Sequence, residues 1–140
     1  MTDSLYLVDT SVWIEVLPSN RPATPLRERI DGLLAADMVA TTGVVRLELL
    51  GRARGEAEFR KLGELLSALH QLEIAEERWE EAAQIAFGLR RKGISVPFTD
   101  LLISAVTAHN GAILLHRDRH FDVVAGHTPL VVESHVQAVR

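Results

Sequence analysis

The chain has 140 residues, 47% hydrophobic and 24% charged, the balance of an ordinary globular domain and not of a disordered chain. It contains no cysteine, which excludes a disulfide framework, cysteine-ligated zinc, iron–sulfur clusters and thiol catalysis, and fits a reducing cytoplasm. With 15 basic and 19 acidic residues the net charge is −4, so any attraction for nucleic acid has to be local; most of the basic residues are arginine, whose fork matches phosphate oxygens.

The first residues are too acidic, and their apolar run too short, for a signal peptide. No apolar stretch reaches the roughly 20 residues of a spanning helix, so no membrane association is expected. Residues 5–8 read as a buried strand. Ser11 is then placed to cap a short helix that ends before Pro18, and residues 19–23 form a loop. Thr24 with Pro25 starts the next helix, with Leu26, Ile30, Leu33 and Leu34 in a stripe.

Residues 38–41 are a second strand. Beyond Gly43 comes a helix with Val44, Val45, Leu47 and Leu49, whose leucines leave Glu48 only a narrow polar edge. Residues 51–55 break it. A further helix carries Phe59, Leu62, Leu65, Leu66 and Leu69, and residues 70–74 make a third strand. A long helix over 76–92 turns Trp79, Ala82, Ala83, Ala86 and Leu89 inward and stops at Gly93, acidic early and basic late as the helix dipole favours. Thr99 caps a helix running to Asn110. A strand over 112–115, a short helix over 119–125 and a strand over 130–133 close the chain. Strands separated by helices predict a three-layer α/β/α fold around a mainly parallel sheet.

In such a sheet, sites gather beyond the carboxyl ends of the strands. Asp9 follows the first strand directly, Asp118 comes three residues after Leu115, Asp100 opens a helix, and Glu48 lies early in the helix after the second strand. Each has a plain structural explanation of its own, as a turn, a helix-dipole partner or a solvated side chain. Together they could converge. Two like charges about 4 Å apart repel by about 4 kcal/mol at an effective dielectric of 20, and a divalent cation reverses that balance. An all-oxygen set favours Mg²⁺ or Mn²⁺, and such an ion suits hydrolysis of a phosphodiester.

Four segments in order, Leu7-Val8-Asp9-Thr10-Ser11-Val12-Trp13-Ile14, Glu48-Leu49-Leu50-Gly51, Thr99-Asp100-Leu101-Leu102-Ile103-Ser104-Ala105 and Leu114-Leu115-His116-Arg117-Asp118-Arg119-His120-Phe121-Asp122, resemble the PIN-domain ribonucleases, and more narrowly the VapC toxins of bacterial type II toxin–antitoxin systems. The resemblance covers essentially the whole chain. It implies a single PIN-like nuclease domain over 1–140, a metal-dependent endoribonuclease that leaves 5′-phosphate and 3′-hydroxyl ends, inhibition by a small cognate antitoxin, and a homodimer. Asp9, Asp100 and Asp118 match the metal ligands, and Glu48 a ligand or a group that positions the attacking water. Ser11 matches an assisting hydroxyl, and Asp122 falls where some members carry a further acid. The chain departs from the pattern at His116, where many relatives have Thr or Ser; this bears on a supporting hydroxyl there, not on the metal site.

Other polar residues rank lower. His116 and His120 are four apart, but the first ends a strand, which points to a structural or supporting role and not to zinc ligation. His70, His109, His127 and His135 read as surface or capping residues. Arg117 and Arg119 flank Asp118 and are the candidates for RNA phosphates, whereas Arg90, Arg91 and Lys92 suit a helix end whatever the function. The leucine-rich helices over 25–34 and 56–69 belong to the core, and as a pair could also offer a groove to an antitoxin helix. A different class of reading is a catalytically inert PIN-like RNA- or protein-binding module, which has no use for a full set of repelling acids. A phosphatase of the haloacid dehalogenase type needs a second acid two residues after its nucleophile, where this chain has Ser11.

Overall fold

The computed structural model describes residues 3–18 and 22–137, so most of the loop expected over 19–23 lies outside the described residues. Five short strands form one sheet: β1 (Tyr6–Val8), β2 (Val39–Thr42), β3 (His70–Leu72), β4 (Ile113–His116) and β5 (Val132–Ser134). All pairs are parallel, in the order β3-β2-β1-β4-β5. The inner strands are buried on both faces, as the unbroken apolar runs Leu7-Val8 and Leu114-Leu115 require.

Seven helices among the described residues cover the sheet: α1 (Thr10–Val16), α2 (Pro25–Ala35), α3 (Gly43–Leu50), α4 (Glu56–Ser67), α5 (Glu76–Arg91), α6 (Phe98–His109) and α7 (Arg119–Ala125). Helix α1 packs on α2 and α3, α3 on α4, and α6 on α5 and α7. The chain runs from β1 outward to β3 in one direction and from β4 to β5 in the other. With the right-handed crossovers that parallel units adopt, this order puts helices on both faces, which is the expected three-layer α/β/α architecture. No helix among the described residues is long and apolar enough to cross a membrane.

Several local expectations are corrected. Asp9, not Ser11, caps α1: its carboxylate accepts from the Ser11 amide at 3.0 Å, so the strand passes into the helix with no loop between them. Pro97, not Thr99, occupies the cap position of α6, its carbonyl accepting from the Asp100 and Leu101 amides. The last strand is displaced to 132–134, because pairing follows β4 to its end and sets His116 opposite Ser134. On α5, Trp79 is 54% exposed and Ala83 is also outside; the inward stripe is Arg78, Ala82, Ile85 and Leu89. Arg78 and Leu89 are 11 residues apart, about three helical turns, whereas Trp79 lies one step round the helix from that line. Leu47 and Phe59 are likewise exposed, so Leu47 does not narrow the polar edge beside Glu48 and Phe59 falls outside the inward stripe of α4.

Candidate active site

The order in which strands are added to the sheet reverses between the parallel neighbours β1 and β4, and such a switch point leaves a crevice at the carboxyl ends of the two central strands. Both strands end there in the same way. Asp9 caps α1 with its carboxylate bound to the amide two residues on, and Asp118 caps α7, its Oδ1 accepting from the His120 amide at 3.0 Å. The capping bonds fix two carboxylates, one at each lip. The lips are also tied together: the Asp9 amide donates to the Leu115 carbonyl at 3.0 Å, and the Arg117 amide donates to Ser11 Oγ at 3.0 Å.

Ser11 Oγ in turn donates to Asp9 Oδ2 at 2.6 Å, so one hydroxyl links both lips. Asp9 is buried, 4% exposed. Burial raises its pKa against the opposing Ser11 hydrogen bonds, and the Asp118 charge raises it further. Glu48, from α3, is held by the Thr10 hydroxyl at 3.0 Å. Its pKa is also raised, first by burial, with a contribution from Asp9. Asp100, in the first turn of α6, is pushed up to about 7 by burial, then by the charges of Asp118 and Asp9, with a smaller push from Glu48. The charges of the four acids proposed from sequence thus bear on one another at the carboxyl end of the sheet, and of the four Asp100 and Asp118 come close enough to share a ligand set.

His120 faces the same place. Its Nδ1 lies 3.1 Å from Asp118 Oδ1 and 3.4 Å from Asp100 Oδ2, and this buried nitrogen makes no well-formed hydrogen bond among the described residues. Asp100, Asp118 and His120 each offer a ligand atom within 4.8 Å of the others, a set of donors suited to a divalent cation. Sequence reasoning gave His120 only a structural or supporting role and gave Thr10 none. The signal for His120 was its offset: the residue two beyond an Asp cap is turned back toward the cap, as Ser11 is toward Asp9.

His116 does not share this site. It is fully buried against Phe121, with ring centroids 5.2 Å apart. Its Nδ1 accepts from the Asp118 amide at 3.1 Å, which leaves the ring proton on Nε2, 3.2 Å from Asp122 Oδ1. Burial lowers its pKa and keeps the ring neutral at pH 7. Asp122 also accepts from Ser134 at 3.0 Å, so its carboxylate stands behind Asp118 and braces His116. Of the flanking arginines, Arg117 is paired with Glu15 at 3.1 Å, whereas Arg119 is exposed with no partner among the described residues.

This crevice and its acids lie within the segment, residues 6–127, that matches the PIN domain family. The chain is 35% identical over 126 residues to Ribonuclease VapC51 of Mycobacterium tuberculosis, covering 88% of this chain and 87% of that protein. It is 32% identical over 131 residues to Ribonuclease VapC21 of the same species, covering 91% of each. Among solved structures it superimposes on VapBC2 from Rickettsia felis, bound to a DNA fragment from its promoter, with a TM-score of 0.75 at 16% identity over 93% of this chain and 98% of that one. The chain therefore belongs to the PIN domain family, within the group of VapC ribonucleases.

Proposed function

We propose that this chain is a Mg²⁺- or Mn²⁺-dependent endoribonuclease, the cytoplasmic toxin of a toxin–antitoxin pair, with residues 1–140 working as a single nuclease domain. The observation that carries this reading is the group of mutually repelling acids at the β1–β4 crevice. Asp100 is held near a pKa of about 7 by burial and the charges of Asp118, Asp9 and Glu48, a burden that a bound cation relieves. The unsatisfied His120 nitrogen beside them adds a donor that fits the same ion.

In this reading Asp9, Asp100 and Asp118 would hold the metal, and His120 would offer a further ligand atom. The ion, when bound, lowers the pKa of water and offsets charge on the phosphoryl oxygens. The chain's own groups do the rest. Ser11 and the capping amides keep the carboxylates of Asp9 and Asp118 aimed into the crevice. Glu48, steadied by Thr10 and raised above the usual carboxylate range, is suited to accept a proton from the attacking water. His116 and Asp122 hold the Asp118 backbone from behind. Arg119 is the side chain available to RNA phosphate, because Arg117 is engaged with Glu15 and serves through its amide.

A small antitoxin and a second copy of the chain are the proposed protein partners. Exposed Leu47 on α3 and Phe59 on α4, two helices packed together, supply apolar surface for such contacts. Cleavage of a panel of structured RNAs by purified protein with Mg²⁺ or Mn²⁺ tests the enzyme reading. Discrete cuts that disappear with chelator and with Asp9→Asn are expected. Equal cutting by the variant would reject the site, and RNA binding without metal-dependent cutting would favour an inert binding module.

A further inference from the structure

Beside the acidic crevice lies a second cavity of about 390 Å³, toward the small end of the roughly 300–1,000 Å³ range of small-molecule clefts. Its walls are Arg90 from the end of α5, Ser95 and Pro97 from the following loop, Phe98 and Leu101 from the first turn of α6, and His120 from α7. Two features tie it to the crevice. His120 lines the cavity and also lies within 3.4 Å of Asp100 and Asp118. Phe98 sits two residues before Asp100 on the same rigid turn of helix.

The chemistry of the walls narrows the occupant. Phe98 is 73% exposed, a flat apolar face presented to solvent at the cavity and not to the core. Arg90 lies in the last turn of α5 with no carboxylate partner among the described residues. Beside it, Arg91 lies over the exposed Phe87 ring, 5.7 Å from its centroid, and Lys92 follows. This cationic and aromatic edge belongs to a chain whose net charge is −4. A ligand that is both a flat ring and an anion matches it, and a nucleotide is such a ligand.

We propose that this cavity is a nucleobase subsite: it receives the base of a nucleotide next to the bond being cut, with Phe98 as the stacking face and Arg90 on the backbone phosphate. The proposal rests on the nuclease reading of the acidic crevice and extends it to substrate selection. The charges at the end of α5 suit the helix dipole as well, so they are placed there at little cost to the fold.

Two arms separate this proposal from the reading it rests on. In the first, short single-stranded oligoribonucleotides carrying 2-aminopurine are titrated with full-length protein in chelator, so that no cutting occurs. Stacking should quench the fluorescence. Phe98→Ala should weaken binding by about 5- to 30-fold, Phe98→Trp should restore it, and Arg90→Gln should flatten the salt dependence. In the second arm, a randomised RNA library is cut with Mn²⁺ and the bases flanking each cut are read; Phe98→Ala should change the preference on one side. Phe98 is exposed, so both variants should melt with the wild-type protein. Base-dependent quenching by a protein that never cuts would keep the subsite and reject the nuclease reading. Cutting with the same affinity and flanking preference in Phe98→Ala would reject the subsite and keep the nuclease. No quenching by the wild-type protein, or a Phe98→Ala variant whose only change is its sedimentation mass, would also overturn the proposal, the latter by assigning this face to protein–protein contact.

Discussion

Replacing Asp100 with Asn should stabilise the metal-free protein while abolishing its metal-dependent activity. The Asp100 side chain is 13% exposed, and its pKa stands at about 7 because burial, Asp118 and Asp9 all oppose its charge. Its ordinary value is 3.8. Between those values the folded state binds a proton that the unfolded state has lost, so stability falls as pH rises through this window. Going from about pH 5 to about pH 8 therefore costs the wild-type protein up to about 3 kcal/mol, and about 1.5 kcal/mol if solvent screens half of it. Asn carries no such cost. Without divalent ions the variant should thus gain about 5–10 °C in Tm on the wild type between these two pH values. Adding Mg²⁺ or Mn²⁺ at about pH 8 should reverse the order, since a ligand that binds only the folded wild type raises its Tm by mass action. Thermal melts of both proteins at the two pH values, with chelator and with metal, make the comparison. A Tm difference that does not change with pH in chelator would refute the argument, because Asp100 would not then be held against its neighbours.

Four further outcomes follow from the same geometry. Ser11→Ala removes the 2.6 Å bond to Asp9 and the acceptor for the Arg117 amide; it should lower unfolding free energy by about 1–2 kcal/mol and move the acid limb of the pH–rate profile upward, and an unmoved limb would count against it. His116→Ala empties space against Phe121 and strips a partner from the Asp118 amide, so denaturant unfolding should show a loss of about 2–4 kcal/mol; a loss within experimental error would contradict the bracing role. Arg119→Ala should reduce RNA affinity and its salt slope by about one unit, more than Arg117→Ala does, and binding titrations at several salt concentrations would expose the reverse order. Arg29 pairs with Glu133 at 2.8 Å and holds its pKa below the usual range; the pair contributes up to about 1 kcal/mol at neutral pH, lost as pH falls through the Glu133 pKa. A Glu133→Gln deficit that persists in strong acid would disagree.

The architecture was legible because its signals are local. Buried strands such as Leu7-Val8 and Leu114-Leu115 are unbroken apolar runs, and Thr24-Pro25 carries a helix start in two residues. The acids at strand ends were legible for the same reason, since a parallel sheet puts such positions at one edge. What sequence did not give was rotation and partnership. Trp79 and Leu89 both fit a loose helical stripe, and only packing of α5 on α6 settles that Arg78, not Trp79, continues it. The hydroxyl of Ser11 reads as a helix cap, but Asp9 takes that place and leaves Ser11 to join β1 to the β4 loop, 106 positions away. Nothing local shows that His116 supports Asp118 through its ring nitrogen while His120 turns into the crevice; the difference is a strand end against a capped helix turn.

The most direct test of the central claim is the chemistry of the ends left by cutting. RNA incubated with the protein and Mn²⁺, then labelled at each terminus, should carry 5′-phosphate and 3′-hydroxyl groups if, as proposed, water and not the neighbouring 2′-hydroxyl attacks phosphorus at the crevice of Asp9, Glu48, Asp100 and Asp118. Both products should vanish in chelator and in Asp100→Asn. Fragments ending in 2′,3′-cyclic phosphate, formed equally well in chelator, would contradict the account.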